Sequence, residues 1–170
     1  MGLFKKLTGK KEAKGAIDMK VYSPLKGEVR PLSTVNDPVF AEEMMGPGIA
    51  VFPTVGQVIA PCNGEVLSVF RTSHAITFKA DNGAEIIIHV GLETVALDGH
   101  HFKVHVADGQ KVKTGDNLLT FDLEKIAAEG YDLITPVIIT NGADFGQVDP
   151  TTNNQVEMGD ELIQLGTSTF

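Results

Sequence analysis

The sequence predicts an all-β fold, an antiparallel β-sandwich or flattened barrel with duplicated strand motifs and one or two short helical turns. Two observations carry that expectation. From Met19 onward, short β-type runs are punctuated by Gly, Pro, Asn and Asp, and almost nothing sustains a helical period. The chain also echoes itself: Ser23-Pro24-Leu25-Lys26-Gly27-Glu28-Val29 returns as Ala60-Pro61-Cys62-Asn63-Gly64-Glu65-Val66, and Val112-Lys113-Thr114-Gly115-Asp116-Asn117-Leu118 returns as Val156-Glu157-Met158-Gly159-Asp160-Glu161-Leu162. Strand-turn-strand units of this kind pack face to face, which buries both inner faces and limits exposed edges.

In chain order, residues 1–17 stand apart as a lysine-rich N-terminal tail. Leu3, Phe4 and Leu7 line one face of a short helix at most and cannot build a core. Residues 18–170 read as one domain, an economical size for a chain of 170 residues with 42% hydrophobic content. Asp37-Pro38 supplies an N-cap and first position for a brief helix through Met45, stopped at Gly46. Asp122 caps a second over Leu123 to Glu129, stopped at Gly130. The first offers Val39, Phe40, Met44 and Met45 either to the core or to a partner.

Composition narrows the function. A net charge of -8 argues against nonspecific nucleic-acid binding, which needs a basic surface, and suits basic partners instead. Cys62 is the single cysteine, so no intrachain disulfide forms. With neither an export signal nor a membrane-length apolar run in view, the cytoplasm is the expected location.

Two histidines make the candidate site. Ile86, Ile87 and Ile88 form a β-branched run that reads as a buried strand and ends at His89, while the upstream run Arg71-Thr72-Ser73-His74-Ala75-Ile76 carries His74 beside two hydroxyls. Between them, Asn82-Gly83 is the signal of a two-residue hairpin turn. His89 lies six residues after that turn and His74 eight before it, which lets the imidazoles approach across a strand pair. A lone histidine on an apolar strand is more often a core residue bonded to a carbonyl; the second histidine shifts that balance. Two histidines are also half of a zinc site, the basis of an alternative reading as a zinc-dependent metalloenzyme using His74 and His89. His100, His101 and His105 lack the glutamate that a helical zinc-protease motif requires. Met19-Lys20-Val21 is a weak decoy for a biotin-carrier lysine, without the second methionine.

The run from Gly83 to Val95, with glycine, two residues, an apolar triplet, His, apolar, Gly, apolar, acidic, Thr and Val, resembles the phosphohistidine motif of the glucose-type IIA component of the phosphoenolpyruvate-dependent sugar phosphotransferase system. The resemblance extends from Met1-Gly2-Leu3-Phe4 through Ala41-Glu42 and Gly48-Ile49-Ala50 to Thr135-Pro136-Val137. It implies an antiparallel sandwich and a phosphocarrier that takes a phosphoryl group from the protein HPr on His89 and passes it to a IIB domain for sugar uptake. It further implies that His74 donates to the phosphoryl oxygens, that the Thr72 hydroxyl orients His74, and that the Gly91 carbonyl fixes the His89 tautomer. Asp37 and Glu93 would flank the site, with Val39, Phe40 and Val95 as the apolar surface for partners. Glu93 departs from the aspartate usual in the family. No cofactor is obligatory; a zinc ion shared by His74, His89 and a partner's carboxylate is compatible with the family, as are regulatory targets of the unphosphorylated protein and peripheral contact of residues 1–14 with anionic membrane.

Overall fold

The computed structural model describes residues 16–166, so the lysine-rich stretch 1–14 lies outside the described residues. The strands are β1 (Lys20–Tyr22), β2 (Gly27–Arg30), β3 (Gly48–Pro53), β4 (Gln57–Ile59), β5 (Gly64–Val69), β6 (Ala75–Ala80), β7 (Glu85–His89), β8 (Phe102–Val104), β9 (Lys111–Val112), β10 (Asn117–Phe121), β11 (Thr135–Ile139), β12 (Val148–Pro150), β13 (Gln155–Val156) and β14 (Glu161–Leu165). Eight of them form one sheet in the order β13-β2-β3-β11-β7-β6-β5-β9, and β1-β14-β12 and β4-β10-β8 form two three-stranded sheets. The pairing is antiparallel and the orders are open, so the architecture is a flattened sandwich rather than a closed barrel.

The sequence echoes are structural repeats. Gly27 of the first unit pairs with Val156, and Gly64 of its copy pairs with Val112, so each first-type echo is matched to a second-type echo in the same register. The turns match too: Lys113 N–H donates to Asp116 Oδ2 at 2.9 Å, and Glu157 N–H to Asp160 Oδ2 at 2.8 Å. Each turn then reaches the start of its partner unit, with Ala60 N–H on the Asp116 carbonyl and Ser23 N–H on the Asp160 carbonyl. Glycine is required at both strand starts, because a Cβ at Gly27 would lie 1.9 Å from the Phe52 carbonyl oxygen and one at Gly64 would lie 2.2 Å from that of Lys79.

The large sheet is buried on both faces around β7. Ile86, Ile88 and Val90 enter the main core with Ile76, Phe78, Leu118, Leu162 and Ile163, while Ile87 points the other way into a smaller cluster with Leu32, Val35, Phe40, Ala50, Leu92, Ile134 and Ile138. An isoleucine run with both faces covered explains why β7 reads as continuously apolar rather than alternating.

Three local features differ from expectation or sharpen it. The hairpin between β6 and β7 has a three-residue loop: Gly83 N–H donates to the Ala80 carbonyl, Ala80 N–H to the Ala84 carbonyl, and only Gly83 takes a positive φ, +99°. Asn82 uses its side chain instead, accepting the Ala84 N–H at 2.9 Å. The first helix, α1, is a single turn, Pro38–Ala41, because Glu43 turns left-handed at φ 57° and the chain leaves the helix before Met45. The second, α2, is Leu123–Ala128, capped by Asp122 as its sequence suggests.

Candidate functional site

His89 is the last residue of β7 and sits over the smaller core cluster, its ring centroid 5.1 Å from that of Phe40. His74 lies one residue before β6 and is 2% exposed. Regular alternation pairs Ala75, not His74, with His89. The two rings nevertheless meet, centroids 4.7 Å apart and nearly perpendicular at 84°, at a strand end where Ser73 adopts a left-handed φ of 65°. The Val90 N–H on the His74 carbonyl, at 2.8 Å, ties the two segments together there.

Each imidazole has one nitrogen engaged. His89 Nδ1 is 2.8 Å from the Gly91 carbonyl oxygen. A carbonyl only accepts, so Nδ1 carries the proton and Nε2 keeps its lone pair. His74 Nδ1 is 2.9 Å from Thr72 Oγ1. Burial holds the His74 pKa down to about 4, reinforced by the neighbouring His89. Burial also lowers that of His89, against the Gly91 hydrogen bond and the charge of Asp37. Both rings are therefore neutral near pH 7, the state in which an imidazole nitrogen is nucleophilic.

The surroundings divide into support and surface. Asp37 caps α1, accepting the Val39 N–H at 3.0 Å through Oδ1. Val39 and Val95 are exposed, 39% and 53%, whereas Phe40 is only 4% exposed. The short helix turns the Phe40 ring inward against His89. Glu93 is exposed at a left-handed φ of 59°, just before the 3-10 turn Thr94–Leu97. Two further apolar side chains, Phe70 and Met44, are exposed. Phe70 packs edge-on to His74 at 5.5 Å. Sequence reasoning missed Phe70, because an aromatic after the apolar run of β5 reads as core.

The remaining histidines do not converge. His100 Nδ1 contacts the Leu97 carbonyl, His101 Nε2 contacts Glu129 and His105 Nε2 contacts Thr120 Oγ1. Among the described residues no group of three or more His, Cys, Asp or Glu is placed to hold a metal ion. Lys20 lies within β1, paired with Glu161 at 2.5 Å, rather than on the hairpin tip that a prosthetic-group lysine needs.

The family model for the phosphoenolpyruvate-dependent sugar phosphotransferase system, EIIA 1, matches residues 19–145. The chain belongs to that family. Two curated relatives agree. A glucose-specific EIIA component of Bacillus cereus is 49% identical over 139 residues, 82% of this chain and 83% of that protein. A β-glucoside-specific EIIBCA component of Bacillus subtilis is 53% identical over 121 residues, 71% of this chain. The chain spans only 20% of the length of that longer relative. Among solved structures, glucose permease IIA from Mycoplasma capricolum superposes with a TM-score of 0.78 at 34% identity, covering 88% of this chain and 96% of that one. This EIIA chain is accordingly a phosphoryl carrier and phosphotransferase component, and nothing in the comparisons supports the zinc metalloenzyme alternative. No helix among the described residues is long and apolar enough to cross a membrane.

Proposed function

We propose that His89 accepts the phosphoryl group on Nε2 from HPr and hands it to a cysteine of a IIB domain, in the cytoplasm. The observation that carries this reading is the 2.8 Å contact between Nδ1 and the Gly91 carbonyl, which leaves Nε2 as the nitrogen with a lone pair. That pair attacks phosphorus as the donor's P–N bond breaks and its electrons return to the donor ring. In the second transfer a cysteine sulfur attacks phosphorus, and the N–P pair returns to Nε2. The Thr72 hydroxyl lies 2.9 Å from His74 Nδ1; by donating there it keeps the His74 proton on Nε2, from which it is donated to a phosphoryl oxygen. Such transfer depends mainly on positioning and charge stabilisation.

The partner surface comprises Val39 and Val95, with Phe70 and Met44 added and Phe40 beneath, and with Asp37 and Glu93 at its edge to steer a basic donor. Both partners must reach the same Nε2, so their footprints overlap. The Glu93 carboxylate stands on a longer arm than the usual aspartate and reaches further across this edge. Two imidazoles supply half of a tetrahedral zinc site, so a zinc ion at His74 and His89 would need a partner's carboxylate to complete it. The unphosphorylated face is also the one available to regulatory targets, and the sugar is set by the permease downstream.

The test is incubation with phosphoenolpyruvate, enzyme I and HPr, followed by mapping of the acid-labile phosphate. Label on His89, abolished in His89→Ala and retained but poorly passed on in His74→Gln, is expected; full labelling of His89→Ala would refute the assignment. Contact of residues 1–14 with anionic membrane rests on their lysines alone, each contributing ~1 kcal/mol near a charged leaflet. Deleting those residues is expected to weaken binding to anionic vesicles and leave transfer from HPr unchanged; identical vesicle binding would remove the membrane role.

A further inference from the structure

The peptide between Gly91 and Leu92 is held from both sides. Its carbonyl accepts the His89 Nδ1–H at 2.8 Å, and its N–H donates to the Asp132 main-chain carbonyl at 2.9 Å. In a trans peptide the C=O and N–H point in opposite directions. Imidazole, peptide and Asp132 carbonyl therefore form a row of aligned hydrogen bonds whose members polarise one another. Glycine makes the approach possible: a Cβ on Gly91 would lie 2.9 Å from the Asp132 carbonyl oxygen.

Asp132 lies in the connection between α2 and β11, and its own carboxylate shapes that connection. Asp132 Oδ1 accepts the Ile134 N–H at 2.9 Å, and Thr135 Oγ1 donates to the Leu133 carbonyl at 2.9 Å. Asp132 itself is exposed, whereas Leu133, Ile134 and Thr135 are buried and anchor the loop to the sheet. The phosphocarrier chemistry gives this carboxylate no direct part, yet its residue stands two hydrogen bonds behind the histidine.

We infer that Asp132 is a positioning residue for His89: its carboxylate fixes the loop whose carbonyl orients the Gly91–Leu92 peptide, and that peptide keeps the proton on Nδ1 and the lone pair on Nε2. The inference rests on the phosphocarrier reading for its consequence, but not for its structural content. Loosening the loop frees the peptide to rotate and weakens the preference for one tautomer.

The test compares Asp132→Ala, which lacks the acceptor, with Asp132→Asn, which keeps an Oδ1 for the Ile134 N–H. Imidazole nitrogen NMR at pH 7.5 reads the His89 tautomer, and labelling from HPr reads transfer. Asp132→Ala is expected to move a measurable share of His89 to the Nε2–H tautomer and to slow labelling roughly tenfold, the scale of one weakened hydrogen bond. Asp132→Asn should stay close to the parent in both. An unchanged tautomer in Asp132→Ala, or an equal shift in Asp132→Asn, would overturn the inference. Absence of label on His89 in the parent protein would instead overturn the phosphocarrier reading alone, since the tautomer is read without any transfer.

Discussion

His74 and His89 are more useful neutral than charged, and the fold enforces neutrality by burial. For His74, a folded pKa of about 4 against an ordinary 6.5 means that the unfolded chain binds its proton first on acidification. The associated stability is fully present above pH 6.5 and is lost as pH falls through that window toward 4. At pH 4.5 the loss from this one group is on the order of 2 kcal/mol, so urea unfolding at pH 7 and 4.5 should show the parent losing more stability than His74→Gln. Equal losses would contradict the burial argument. Gly91→Ala tests the neighbouring backbone: its Cβ would lie 2.7 Å from Thr94 Cγ2 at a φ of +76°. A destabilisation of about 2 to 3 kcal/mol by chemical denaturation is expected. At this scale the sequence was informative where a motif marked residues that the fold brings into contact, as with His89 and Gly91. It was silent where burial decides, as for the inward Phe40 and the outward Phe70, because a one-turn helix and a strand end show no period to read.

Short elements hold the site, and each depends on a few hydrogen bonds. The single turn of α1 rests on the Asp37 cap, and the same carboxylate raises the His89 pKa by its charge. The two roles separate by substitution. Asp37→Asn retains the cap and should lower the His89 pKa further in an NMR titration, whereas Asp37→Ala should also cost ~1 kcal/mol in denaturation. Stability loss in Asp37→Asn equal to that in Asp37→Ala would show that the charge, not the cap, stabilises the turn. The exposed Val39 and Val95 provide the surface test that buried Phe40 cannot. Val39→Lys and Val95→Lys should change stability by within about 0.5 kcal/mol and slow transfer both from HPr and to IIB. A variant slow with one partner and normal with the other would show that the footprints do not overlap. The Asp37 and Asp122 caps were legible from residue type. The three-residue hairpin was not, since Asn82-Gly83 serves two loop geometries and only the hydrogen bonds of Ala80 and Ala84 distinguish them.

The whole molecule is a duplicated β framework with chemistry at one strand end. The echoes around Gly27 and Gly64, and around Val112 and Val156, revealed the duplication, because glycines forced by close backbone contact and Gly-Asp turns leave residue-level marks. The meeting of His74 with His89 was only half legible: turn counting brought their strands together, but alternation does not govern His74 outside β6, and Ser73 redirects it. The proposed relay turns on one nitrogen. The decisive measurement is therefore nitrogen and phosphorus NMR on the protein phosphorylated through HPr, which resolves the modified residue and ring position together. Phosphate bonded to Nε2 of His89, with Nδ1 still protonated toward Gly91, is the expected result; phosphate on Nδ1 of His89, or on His74, would contradict it.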